Sequence, residues 1–358
     1  MSFEAFCEHV LPYRCSDEPL DSWRGPLMER FAGLEAELKD RQSAAEASGK
    51  IGGVVGGMVR FWDLYYLHPT DQGYSEMLAS GAGRCEDISN LISYANRANA
   101  IAVASDYTPA WANRDNNHAW NAVLGPDGRG RAGLSNVAAK IYRKTFARQA
   151  DCWAEKAGPE ESVPRWLAGR QFVDVTDQYL ETTDVTVDLA TPAPEHSTLA
   201  YLCVFNGGEW IAIHGAEVRD GRATFDRMGR GVLLLPAWYD GVELIPAAPP
   251  LTIEKDGAVR CLRAPGENPV AVEITTTKPE TGDADTRRPI QAIQVQPGQR
   301  YELFVWQDGW QSHGDAVAGD QPVRFESLPP GALYWVVGEN GRRLERPFTI
   351  VGGRPRLW

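Results

Sequence analysis

A cysteine, a histidine and an aspartate stand in this sequence where a thiol nucleophile, its base and an orienting carboxylate would be expected. Cys85 follows the turn Gly81-Ala82-Gly83-Arg84 and precedes a one-face recurrence of Ile88, Leu91, Ile92, Ala95 and Ala98, the pattern of an amphipathic helix. A thiol in the first turn of that helix meets unpaired backbone N–H groups and the positive end of the dipole. Both favour the thiolate: a fall in pKa from about 8.5 to about 6.5 raises its share at pH 7 from ~3% to ~75%. The commoner role of a cysteine is a small buried hydrophobe, so the assignment depends on partners. His118 heads an alternating strand that puts His118, Trp120 and Ala122 on one face and stops at the turn Gly125-Pro126-Asp127-Gly128. Asp174 is central in the short strand Gln171-Phe172-Val173-Asp174-Val175-Thr176. Nucleophile, base and orienter in this order follow the logic of a catalytic triad. Asp177, three residues on, points to the opposite face of an extended strand, which favours Asp174.

The segments GRCEDISN, NNHAWNAVL and FVDVT resemble the three motifs of the transglutaminase-like superfamily: a Gly-x-Cys helix start, a His-Ala-Trp strand and an Asp-x-Thr strand. The resemblance covers roughly residues 50–183. It implies an α+β papain-like core, with Cys85 as nucleophile, His118 as base and Asp174 as orienter. The chain departs from papain-like proteases in having aspartate rather than asparagine as third member and in lacking papain's own cysteine signature. The implied chemistry is acyl transfer at a carboxamide through a thioester on Cys85. Water as acceptor gives amide or peptide hydrolysis; an amine acceptor gives transamidation. A helix-start nucleophile also offers its own backbone N–H to the oxyanion, so Cys85 is one expected donor, with Tyr74 and Gln72 as sequence-near candidates for the second. Tyr107, Trp111, Asn117 and Trp120 are candidates for a substrate groove; for the aromatic ones, sheet core is the alternative. The expected partners are a peptide or protein amide and an amine acceptor, with no cofactor.

These residues need a scaffold, and the chain is long enough for several. Its 358 residues, 43% hydrophobic and 23% charged, suit a globular protein of two or three domains. Residues 1–48 are expected to form a helical arm, with Leu27, Phe31, Leu34 and Leu38 on one face and a polar helix end or linker over 39–50. Residues 49–183 hold the catalytic core. Within it, the glycine-dense stretch 51–57 reads as a turn or close-packed segment, the bulky run 58–67 as core helix, and the basic run 140–148 as a solvated helix face. Beyond 183, short alternating segments separated by glycine turns predict two β-sandwich-like modules, 184–252 and 253–358, with 278–288 as a polar loop. This tail is similar to the C-terminal β regions of larger bacterial transglutaminase-like proteins. An alternative reading makes the core an inactive scaffold whose β modules bind glycan or protein through Trp210, Trp238, Trp306, Trp310 and Trp335.

Charge and cysteine usage narrow the field. Lys+Arg of 36 against Asp+Glu of 48 leaves a net charge of −12, which disfavours nucleic acid and anionic membranes as partners. Six cysteines without a C-x-x-C pair argue against a zinc site, and scattered thiols suit a reducing compartment. Glu4, Glu8, His9 and Pro12 interrupt any apolar leader, so the expected location is the cytoplasm as the chain stands, an export signal on a longer precursor being the alternative. The histidines form no H-E-x-x-H motif. Asp283-Ala284-Asp285 is an acidic stretch without a full calcium loop, so no metal is expected.

Overall fold

Four short antiparallel strands in the order His118–Val123, Val103–Thr108, Tyr142–Lys144, Phe172–Asp174 form the sheet on which the cysteine helix packs. The structure, a computed structural model, describes residues 1–130, 132–262, 268–283, 288–320, 322–339, 341 and 343–358. The fold is mixed α+β, about 19% helix and 36% strand, with several antiparallel sheets.

Five α-helices lie within residues 1–98: α1 (Phe3–His9), α2 (Arg24–Arg30), α3 (Ala44–Gly56), α4 (Tyr74–Ser80) and α5 (Cys85–Ala98). Helix α5 starts where it does because Asp87 closes the turn before it. The Asp87 carboxylate accepts the Arg84 N–H at 2.9 Å and the Gln72 N–H at 2.8 Å. Gly83 is required there, since a Cβ would come within 2.8 Å of the Asp87 Cβ. The arm packs on α5. Trp23 stacks on Tyr94 at 4.8 Å, and Leu27, Ile51 and Val55 are buried with Leu91 and Ala95, each worth about 1.5–3 kcal/mol of apolar burial. The fully buried Glu18 accepts the Tyr94 hydroxyl at 2.5 Å and the Cys15 and Ser16 N–H groups at 2.6 and 2.7 Å.

The middle sheet has eight antiparallel strands and is nearly closed, barrel-like rather than a sandwich. It runs from Thr182–Asp188 to Val259–Cys261. Leu251–Ile253 pairs with both Val232–Leu234 and Val259–Cys261, so a boundary at 252 would cut through a ladder. The C-terminal module packs the five-stranded sheet Trp310–Val317, Arg300–Trp306, Tyr334–Gly338, Pro347–Val351, Arg354–Leu357 against the pair Val270–Ile274 and Val323–Leu328.

Three local expectations change. The glycine-dense 51–57 stretch lies mostly in α3, its Ile51 and Val55 turned to α5. Residues 58–67 are a two-residue strand and a 3-10 turn, with Trp62, Leu64 and Leu67 exposed instead of buried in a core helix. The basic run contributes an inner strand, not a solvated face. Lys140 and Arg143 are buried because each meets a buried carboxylate, Asp174 and Asp106 respectively. Among the described residues no helix is long and apolar enough to cross a membrane.

Candidate active site

Cys85 is the first residue of α5 and is 2% exposed. Its Sγ lies 3.0 Å from Glu86 Oε2 and 3.3 Å from the Tyr66 hydroxyl. The other Glu86 oxygen accepts the Asn117 side-chain amide at 3.0 Å, and the Arg84 guanidinium approaches within 3.6 Å. Ser89 Oγ donates to the Ala119 carbonyl at 3.2 Å. The Asn117 and Ala119 contacts fall on either side of His118, docking the first turns of α5 onto the head of the histidine strand. Cys85, Ser89 and His118 line one cleft of about 1550 Å³ bounded by α1–α3 and α5. Glu86, Tyr66 and Asn117 line a second, of about 780 Å³, with Arg84, Tyr107 and Trp166. The turn of chain carrying the thiol therefore stands between two clefts.

The His118 ring stacks with Trp111 at 5.9 Å and Trp120 at 5.6 Å, the indoles themselves lying 10° from parallel. Its loop is gripped from the barrel. Asn206 accepts the Asn116 N–H at 3.0 Å and donates to the carbonyls of Trp111, Arg114 and Asn116 at 2.9–3.0 Å. Burial lowers the His118 pKa to about 4; the charges of Glu86 and Asp283 act to raise it and Arg114 to lower it. His118 is thus neutral near pH 7, the form that accepts a proton.

Asp174 does not join them. The register sets Asp174 in one row with Tyr142, Tyr107 and Ala119, so it shares Ala119's face of the sheet and His118 takes the other. Three strand spacings, roughly 14 Å, separate the rows' ends. The carboxylate has other work. Oδ1 accepts the Thr176 N–H at 2.9 Å and hydroxyl at 2.6 Å, closing the turn into the short helix Thr176–Tyr179. Oδ2 meets Lys140 Nζ at 2.5 Å, with Arg227 at 3.4 Å. The Asp-x-Thr pattern is here a side-chain-closed turn leading into a helix, and an ion pair. Burial pushes the Asp174 carboxyl up, but Lys140 and Thr176 outweigh it and hold it below the usual range. His214 and Asp226 bring donor atoms within 4.8 Å of Asp174, a spacing compatible with a metal. The Lys140 ammonium, bonded to Asp174 and to the Asp226 and Arg227 carbonyls, already supplies the positive charge there, so the set does not fit a cation.

The remaining candidates divide. Asn117 touches Glu86, and Tyr107, though buried against Tyr142, borders the second cleft. Trp111 backs His118, while Trp120 both stacks on that ring and lines the first cleft. Gln72 spends its side-chain N–H groups on Ala82 O and Asp87, both at 3.0 Å, so it builds the turn before Cys85 and is no oxyanion donor. Tyr74 packs on the α2–α3–α5 core. The tryptophans of the β modules pack on one another and on Phe205, with Trp210–Trp306 at 5.6 Å and Trp306–Trp310 at 5.1 Å, and Trp238 lies in the barrel core. Ala284 and Asp285 of the acidic stretch lie outside the described residues. Three groups at the site were not singled out from sequence: Glu86, which reads as an ordinary first-turn acid; Tyr66, hidden in an aromatic run; and Asp283, distant in sequence. No family model matches the chain, and no curated protein matches it.

Proposed function

We propose that the chain carries out cysteine-dependent acyl transfer at a carboxamide, on a papain-like core of the transglutaminase-like kind. The observation that carries this reading is the docking of α5's first turn, with Cys85 at its head, onto the strand start that holds a neutral His118 in the same cleft. As Cys85 Sγ bonds to the amide carbon, its proton passes to His118. The resulting imidazolium is supported by the nearby Glu86 charge, with no part for Asp174. The carbonyl oxygen, now anionic, faces the N–H end of α5; the Tyr66 hydroxyl, close to the sulfur, takes the place of Tyr74 and Gln72 as second donor. His118 then returns the proton to the leaving nitrogen, which departs as the C–N bond breaks and leaves a thioester. Water or an amine enters from the second cleft, loses a proton to His118, and releases the acyl group with the thiol restored.

The test is amine or ammonia release from a library of glutamine-containing peptides and peptide amides. Cys85→Ala and His118→Ala should each lower turnover by on the order of 10³–10⁶ while melting stays near that of the parent. Parent-like release by Cys85→Ala would reject the reading.

A further inference from the structure

The C-terminal module reaches into the neighbourhood of His118. A ribbon of Thr276–Lys278 against Ile293–Gln294 continues through the Thr281–Ile290 bridge, bonded in both directions at 3.1 and 2.8 Å. Thr277, Lys278 and Thr281 are buried, so this segment is packed rather than a solvated loop. It lies against the residues that precede His118. Lys278 Nζ is 3.7 Å from Asp115 Oδ1, and the Gly282 carbonyl accepts from Arg114 at 3.0 Å and from Asn136 at 2.8 Å. The approach is close enough that a Cβ on Gly282 would lie 2.7 Å from the Ser135 carbonyl oxygen. The next residue, Asp283, is half-buried, and its charge acts to raise the His118 pKa.

Resting on the acyl-transfer reading, we propose that this arm is part of the active site and that Asp283 is the positioning residue of His118, holding the ring and supporting its cation in the role expected of Asp174. Among the described residues, three charged groups bear on the imidazole: Glu86 from α5, Asp283 from the arm and Arg114 from the loop. Glu86 is bound to the thiol side of the site. Asp283 comes from a different module, which makes the reactivity of Cys85 depend on the docking of the C-terminal module.

The test is the pH profile of Cys85 alkylation by iodoacetamide in the full-length protein, read by peptide mass spectrometry. Asp283→Asn should slow labelling at pH 6.5 about tenfold, the effect of one pKa unit, and leave it nearly unchanged at pH 9.5, where the thiol ionises without help. Asp283→Glu should restore most of the loss. Gly282→Ala, which displaces the arm without removing a charge, should shift the profile the same way. A purely structural role would alter melting but not the pH dependence. If the parent labels Cys85 selectively and Asp283→Asn, equally stable, keeps the parent profile, the inference fails and the acyl-transfer reading stands. If the parent shows no preference for Cys85 over the other five cysteines, both fail together.

Discussion

His214 and His118 are both held neutral, each brought to a pKa of about 4 first of all by burial, yet the groups around them differ. His214 bonds the Tyr142 hydroxyl at 2.9 Å and Asp226 at 2.8 Å. Beyond that carboxylate stand Asp174, Lys140 and Arg227, so anions and cations alternate. His118 is backed by two indoles, feels the charges of Glu86, Asp283 and Arg114, and shares its cleft with the Cys85 thiol. The His214 network also borders a cleft, of about 780 Å³ and lined by the Cys152 thiol, so neither exposure nor a thiol in the cleft separates the two. Partners do: His214 is bonded through both ring nitrogens into the cluster of Tyr142, Asp226, Lys140 and Asp174, whereas His118 stands at the strand start onto which the Cys85 turn docks. The first arrangement holds modules together, and the second is suited to moving a proton.

The sharpest way to break this comparison is Asp174→Asn. Lys140 is 0% exposed, and removing its partner should cost about 3–5 kcal/mol, the usual penalty for a broken buried pair. Denaturant unfolding should report that loss, while the folded fraction alkylates Cys85 within about twofold of the parent, as expected for distant sites. Unchanged stability with crippled turnover would return Asp174 to the chemistry.

A smaller and more gradual effect is expected from pH. His9, His118 and His214 each titrate near 4 in the folded chain against 6.5 as the ordinary value. The unfolded chain therefore binds protons first as pH falls; the stability present above 6.5 is progressively lost toward 4. His214→Gln should flatten part of that slope and leave the pH profile of Cys85 alkylation in place. Stability that is level from pH 7 to 5 would contradict the neutral assignment of these rings.

The parts legible in the sequence are those set by neighbours in the chain. The glycine turn and the spacing from Ile88 to Ala98 place α5 at Cys85–Ala98, and the alternation after Asn117 marks a strand at His118–Val123. Several tail strands, such as Arg300–Trp306 and Pro347–Val351, also agree with their alternation. What sequence pattern does not carry is strand order. Tyr142–Lys144 enters between the Asp174 strand and the inner strand Val103–Thr108, which removes Asp174 from His118 although the motifs run in the expected order. Lys140 and Arg143 look like surface charges because their partners Asp174 and Asp106 are remote in sequence. Asp283 is invisible for the same reason, since 165 residues separate it from His118.

The central claim, that Cys85 forms a covalent acyl intermediate, is tested most directly by trapping it. The protein should be mixed with an amide substrate found by the release assay, quenched in acid, digested and read by mass spectrometry. The peptide carrying Cys85 should gain the mass of the acyl group, the gain should disappear on adding hydroxylamine, and it should be absent in Cys85→Ala. Turnover with no adduct on Cys85 under any quench, or an adduct on another residue that persists in Cys85→Ala, would contradict it.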